Sequence, residues 1–185
     1  MTRPAVFLDR DGVINRAIVR DGMPFAPASL QDVEIIPGVF QALHDLQAHG
    51  YLTVVVTNQP DVARGTASRA AVDSIHERLK GTLAIDAILT CFHDDADECS
   101  CRKPKPGLLL QAARDFNIDL SSSFMVGDRW RDVEAGERAG CRTFFVDHSY
   151  RERTPNAYHF RVDSLSEACE MILAPGPLGM KQRST

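Results

Sequence analysis

Apolar positions along the chain fall into short runs that alternate with longer stretches of helical spacing. Ala5 to Asp9 starts with four apolar residues and predicts a short buried strand. Residues 15–36, rich in Pro and Asp, read as a loop. Pro37 opens a helix and Gly50 closes it, with Val39, Leu43 and Leu46 on one face. Tyr51 to Thr57 is a β-branched strand. Val72, Ile75, Leu79 and Leu83 give residues 68–83 a helical stripe. Ile85 to Phe92 predicts a third strand, and a polar, cysteine-rich loop follows as far as Pro106. A helix over 107–116, carrying Leu108, Leu109, Ala112 and Phe116, leads to a strand from Ser123 to Gly127. A helix over 130–139 ending at Gly140, a strand from Arg142 to Asp147 and a helix over 165–173 complete the pattern. The stretch 174–185, with its prolines and glycines, reads as a disordered tail.

Strands alternating with helices predict an α/β fold, a three-layer Rossmann-like parallel sheet with helices on both faces. Residues 1–173 are expected to form one domain. In such a sheet ligands bind outside the carboxyl ends of the strands. The first predicted strand runs out in Asp9-Arg10-Asp11-Gly12, the second in Thr57-Asn58-Gln59 and the fourth in Gly127-Asp128-Arg129. One such Asp is commonly a turn or cap residue. Three polar ends in one crevice, with Lys103 nearby, suit phosphoryl chemistry. Asp9 and Asp11 point the same way on an extended chain. Two carboxylates that close repel each other unless a cation lies between them. Mg²⁺ fits, with Asp128 as a third carboxylate. The ion would also let an anionic nucleophile approach an anionic phosphate. Thr57 can donate its hydroxyl to a phosphate oxygen, and Lys103 can neutralise charge on the transferring group. Chemistry alone leaves open which of Asp9 and Asp11 attacks.

Composition narrows the partners. The chain has 185 residues, 44% of them apolar and 25% charged, as ordinary globular proteins do. The net charge of −4 is spread over mixed signs, which speaks against nucleic acid as a partner. The apolar runs are too short to span a membrane, and the one before Asp9 is too short for a signal peptide. A cytoplasmic monomer acting on a small molecule is therefore expected.

Three of the five cysteines lie in the stretch Cys91-Phe-His93-Asp-Asp-Ala-Asp-Glu-Cys99-Ser-Cys101. Three thiols and one imidazole match a closed, structural tetrahedral Zn²⁺ site. A Cys99–Cys101 disulfide would be strained. Such a zinc would pin the loop that leads into Arg102 and Lys103. Cys141 and Cys169 lie in partly apolar surroundings and read as core residues. His44, His49, His76, His148 and His159 show no partner in the sequence.

Asp9-Arg-Asp11-Gly-Val, Thr57-Asn-Gln, Arg102-Lys103-Pro104 and Gly127-Asp128 with Asp132 resemble the four motifs of the haloacid-dehalogenase-like hydrolases. The resemblance runs in order over residues 5–150. It implies that Asp9 is the nucleophile and becomes an aspartyl-phosphate. It makes Asp11 the general acid and then the general base. Thr57 and Lys103 would stabilise the phosphoryl group. Asp9, Asp11 through its backbone carbonyl, and Asp128 would hold Mg²⁺. Asp132 would orient Lys103 or cap its helix rather than bind the metal. A zinc loop ahead of Arg-Lys-Pro further resembles the branch that acts on a heptose bisphosphate or on histidinol phosphate. Val62-Ala63-Arg64-Gly65 and the run from Lys103 to Gly107 favour the former, whereas Pro60-Asp61 and the run around Cys99 point the other way. Arg102 and Arg129 are candidates for contacting the substrate or a second phosphate, since a guanidinium fork matches phosphate. Asn58 is a third candidate, and Trp130 reads as a packing residue. Residues 15–36 are too few for a cap domain, so an open site for a modest phosphosugar is expected. A non-catalytic binding protein of this fold would lack one of Asp9, Asp11, Lys103 and Asp128, and this chain keeps all four. A phosphomutase would need a closing cap to exclude water.

Overall fold

A computed structural model describes residues 2–175. Most of the expected 174–185 tail lies outside the described residues. In chain order the elements are β1 (Ala5–Leu8), β2 (Ile18–Arg20), β3 (Met23–Phe25), α1 (Val39–Ala48), β4 (Leu52–Asn58), α2 (Arg69–Thr82), β5 (Ala87–Cys91) and α3 (Gly107–Asp115). Then come β6 (Phe124–Gly127), α4 (Trp130–Ala139), β7 (Arg142–Val146), β8 (Phe160–Val162) and α5 (Leu165–Leu173). Six strands form one sheet in the order β5-β4-β1-β6-β7-β8, every neighbouring pair parallel.

The strands are short and apolar on both faces because both faces are covered. Val6 and Leu8 of β1 pack with Leu43 and Leu46 of α1, Ile75 and Leu79 of α2, and Ile172 of α5. Ala5 and Phe7 face the other way, toward Leu109 of α3 and Ala135 of α4. The chain builds outward from β1 through β4 to β5, then crosses back to place β6 on the other side of β1. The strand order therefore reverses at β1, and a crevice opens at its carboxyl end. Leu8 pairs with Val55 on one side and Val126 on the other, so Asp9, Thr57 and Asp128 leave the sheet side by side.

Two elements differ from the sequence reading. Residues 15–36 are not all loop, because β2 and β3 form an antiparallel hairpin with Ile18 opposite Phe25 and Arg20 opposite Met23. Its two-residue turn is Asp21-Gly22, both at positive φ (51° and 79°), which is the backbone that a tight hairpin of the right twist requires. The second is β8, a three-residue edge strand beside β7. It is too brief to show a period of its own. Helix α1 starts two residues after Pro37, with Gly38 as its N-cap. Among the described residues no large cap domain covers the sheet, and no helix is long and apolar enough to cross a membrane.

Candidate active site

Lys103 lies at the centre of the crevice and is almost wholly buried. Its Nζ donates to Asp9 Oδ1 (2.7 Å) and to the Val56 carbonyl (2.7 Å), and it pairs with Asp132 Oδ1 (2.6 Å). Burial alone would lower the Lys103 ammonium, but the charges of Asp132 and Asp9 more than reverse this, so it stays protonated. Asp132 has a second task. Its other oxygen accepts from the Arg129 N–H (3.0 Å) at the start of α4. It thus both caps that helix and orients Lys103.

Asp9, Asp128 and Asp132 are all buried, with carboxylate oxygens within 4.8 Å of one another. Burial pushes the Asp9 carboxyl up to about 6, with Lys103 pulling against it. Asp128 is raised as well, by burial and by the charges of Asp9 and Asp132. Both of its oxygens are buried and neither accepts a well-formed hydrogen bond, although the Tyr150 hydroxyl lies close enough to interact. Ionised together, three carboxylates against one ammonium would leave two negative charges, the repulsion that raises Asp9 and Asp128, and orphaned buried oxygens are rare in native proteins. Hard oxygen donors with that deficit fit a divalent cation such as Mg²⁺. Gly12 keeps the space open. It sits at φ 92°, and a Cβ there would lie 1.8 Å from Asp128 Oδ2.

The Asp11 side chain is not in this cluster. It is turned toward Arg10, Asn15 and Gln59, which leaves its backbone as its route to a cation. Thr57 is buried, and its hydroxyl accepts from Gln59 Nε2 (2.9 Å), so its own proton is free to point outward. Asn58 splices β4 to the loop that carries Lys103, donating to the Lys103 carbonyl and accepting from the Lys103 N–H, each at 3.1 Å.

The four zinc-ligand candidates come together. Cys101 Sγ lies 3.3 Å from Cys91 Sγ, 3.4 Å from Cys99 Sγ and 3.3 Å from His93 Nδ1. Cys91 Sγ lies 3.7 Å from Cys99 Sγ and 3.6 Å from His93 Nδ1. Sulfurs about 2.3 Å from a tetrahedral zinc would be roughly 3.8 Å apart, close to these edges. Burial pushes the Cys91 thiol up, so a cation is what would hold it as a thiolate. Cys91 ends β5 directly opposite Asn58, which sets the loop against the phosphate crevice.

Above Asp9 the cleft has a volume of about 290 Å³. Arg64, Arg102, Arg129 and Arg131 line it, with Met23 and Phe25 of the hairpin on the far wall. The acids of the zinc loop hold three of these arginines. Arg64 forks onto Asp94 (2.7 Å twice) and lowers its carboxyl to about 2. Asp95 accepts from Arg102 (2.8 Å) and Arg131 (3.2 Å). Arg129 forks onto Glu152 (2.7 and 2.5 Å). Trp130 also donates to Glu152, and its ring lies under the guanidinium groups of Arg131 and Arg153, which leaves it a packing role.

Sequence reasoning passed over Arg10, Arg64, Arg131 and Glu152. Arg10 carried a signal, since alternation turns the residue between two outward aspartates into the interior. The histidines said to lack partners all have one: His76 with Arg10, His148 with the Gly12 carbonyl, His159 with Thr143, His49 with the Asp45 carbonyl and His44 beside the Asp45 carboxylate. The partners of His76, His148 and His159 are distant in sequence, beyond the reach of a local pattern. Cys141 and Cys169 are buried in the core, as expected.

A HAD-hydrolase-like family model matches residues 100–168. A Vibrio cholerae protein named D-glycero-beta-D-manno-heptose-1,7-bisphosphate 7-phosphatase is 44% identical over 158 residues, 77% of this chain and 80% of that one. The Escherichia coli K12 protein of the same name is 35% identical over 184 residues, covering 91% and 93%. The crystal structure of the Bordetella bronchiseptica D,D-heptose 1,7-bisphosphate phosphatase, complexed with magnesium and phosphate, superposes with a TM-score of 0.75 at 31% identity. The match covers 92% of this chain and 98% of that one. With the buried Asp-Lys-Asp centre at the mouth of the sheet, these likenesses place the chain in the haloacid-dehalogenase-like hydrolases, as a phosphoric monoester hydrolase of that family.

Proposed function

We propose that the chain is a Mg²⁺-dependent phosphatase that removes the 7-phosphate of D-glycero-D-manno-heptose 1,7-bisphosphate through an aspartyl-phosphate on Asp9. The observation that carries the substrate class is the ring of arginines. Arg64, Arg102, Arg129 and Arg131 line the cleft, each held in place by an acid among Asp61, Asp94, Asp95 and Glu152. Guanidinium forks placed in this way suit a second phosphate better than the ammonium of histidinol phosphate. The names of the Vibrio and Escherichia relatives support the same choice.

Asp9 Oδ attacks phosphorus as the ester P–O bond breaks, and Asp11 gives its proton to the departing sugar oxygen. Water then attacks phosphorus while Asp11 takes its proton, which frees inorganic phosphate and restores Asp9. Lys103 and Thr57 donate to the non-bridging oxygens throughout. Arg102 and Arg129 engage the distal part of the substrate, and Asn58 holds the Lys103 backbone in place. Asp9, Asp128 and the Asp11 carbonyl would hold the Mg²⁺, which when bound neutralises the approach of two anions. Cys91, His93, Cys99 and Cys101 would hold a structural Zn²⁺. Residues 1–173 act as one cytoplasmic, monomeric domain with no nucleic-acid or membrane partner. The test compares inorganic phosphate release from the heptose bisphosphate and from histidinol phosphate, side by side with Mg²⁺. A higher kcat/KM on the bisphosphate is expected. Preference for histidinol phosphate would reassign the substrate, and release from neither, nor from any other small phosphate ester, would leave a binding protein.

A further inference from the structure

The Asp11 carboxylate is gripped in a way that the reaction scheme above does not explain. The side chain of Arg10 is completely buried. Its guanidinium forks onto Asp11, Nε donating to Oδ1 (3.0 Å) and Nη2 to Oδ2 (2.9 Å). Asn15 Nδ2 donates to Oδ1 (2.9 Å) and Gln59 Nε2 to Oδ2 (2.9 Å). The remaining guanidinium nitrogen, Nη1, lies 3.0 Å from His76 Nε2 on α2. Because Arg10 can only donate, His76 must accept at Nε2 and carry its proton on Nδ1. Burial and the neighbouring Arg10 charge keep the ring neutral, as that contact requires.

From this chain of contacts we infer that Arg10 and His76 are positioning residues for the proton-transfer group. Arg10 fixes the plane of the Asp11 carboxylate, and His76 fixes Arg10. A carboxylate on a free side chain can turn about two bonds, whereas a planar fork allows it one orientation. A bent guanidinium would tilt that orientation, and proton transfer is sensitive to such displacement. The His76 contact links helix α2, which touches no substrate, to the departing oxygen. The inference rests on the proposed role of Asp11 and extends it to two residues that do not meet the substrate.

The leaving group distinguishes positioning from mere support of the fold. A sugar alkoxide needs the Asp11 proton to depart, whereas 4-nitrophenolate leaves without one. kcat/KM reports only the steps up to that departure. His76→Leu removes the acceptor, and His76→Gln places an amide oxygen close to where Nε2 was. With Mg²⁺ present, kcat/KM is measured on 4-nitrophenyl phosphate and on whichever alkyl ester the wild type turns over, heptose bisphosphate or histidinol phosphate. His76→Leu should lose about tenfold or more on the alkyl ester and less than about threefold on the aryl ester, and His76→Gln should recover most of the loss. Melting temperatures taken alongside establish that both variants are folded. Equal losses on the two esters, no loss on either, or failure of His76→Gln to recover the alkyl reaction would overturn the inference. A wild type that cleaves aryl but neither alkyl ester would overturn it together with the role of Asp11. If only the choice between the two alkyl substrates fails, the inference is still decided on the other.

Discussion

Asp9 is a buried acid whose carboxyl rises to about 6, because burial outweighs the pull of Lys103. Asp9→Asn removes the nucleophile but keeps the shape and a hydrogen-bond acceptor for the lysine, which still has Asp132. Phosphate release should fall below detection while Tm moves by no more than about 4 °C, which scanning calorimetry can check. His76 gives a second prediction, of stability. In the folded protein its pKa is lowered from 6.5 to about 4 by burial and by Arg10. The unfolded chain therefore binds more protons between those values. Stability from this residue is present above pH 6.5 and is lost as pH falls toward 4. The drop in Tm across that window should be shallower in His76→Gln than in the wild type, and parallel curves would remove His76 from the acid response.

At the scale of elements, the zinc loop joins two strands of chemistry. It starts where β5 ends, and its acids hold arginines that line the cleft. Stripping zinc with a chelator that spares Mg²⁺ should therefore raise KM for the substrate before the domain melts. Hydrogen exchange should show opening confined to residues 91–103 at first. Unchanged kinetics in protein shown to be zinc-free would separate the loop from the site. Helix α4 makes a different demand. It lies so close to the sheet that a Cβ on Gly136 would come within 2.6 Å of Met125 Cβ and 2.9 Å of Thr143 Cγ2. Gly136→Ala should cost about 1–3 kcal/mol in denaturant unfolding, despite the better helix propensity of alanine. Because α4 carries Asp132, the same variant should also lose activity.

The hairpin and the edge strand show where element reading stops. Asp21-Gly22 was a usable turn signal, flanked as it is by Ile18-Val19-Arg20 and Met23-Pro24-Phe25. Three-residue strands give too few positions for alternation to stand out, and the prolines around them read as loop. Strand β8 had no such signal, because only its pairing with β7 makes it a strand.

Across the whole molecule, the absence of a large cap among the described residues leaves the cleft to loops and the hairpin. Water can reach the crevice, which agrees with hydrolysis rather than transfer within a closed site. Selectivity then falls to the rim, where four arginines are placed by acids from three separate segments, the zinc loop, Asp61 after β4, and Glu152 after β7. The sequence by itself determined the alternation of strands and helices, the parallel sheet and the motif residues at its carboxyl edge. Those follow from local spacing, which the chain carries with it before it folds. It also placed the four metal-binding side chains of the loop, since their separation along the chain is short. Tertiary structure alone decided that Asp132 joins Asp9 and Asp128, that Asp11 is turned to Arg10, and that His76 stands behind both. Those contacts join residues up to 123 positions apart, and only the crossover at β1, with the packing of helices on both faces, brings them within reach of one another.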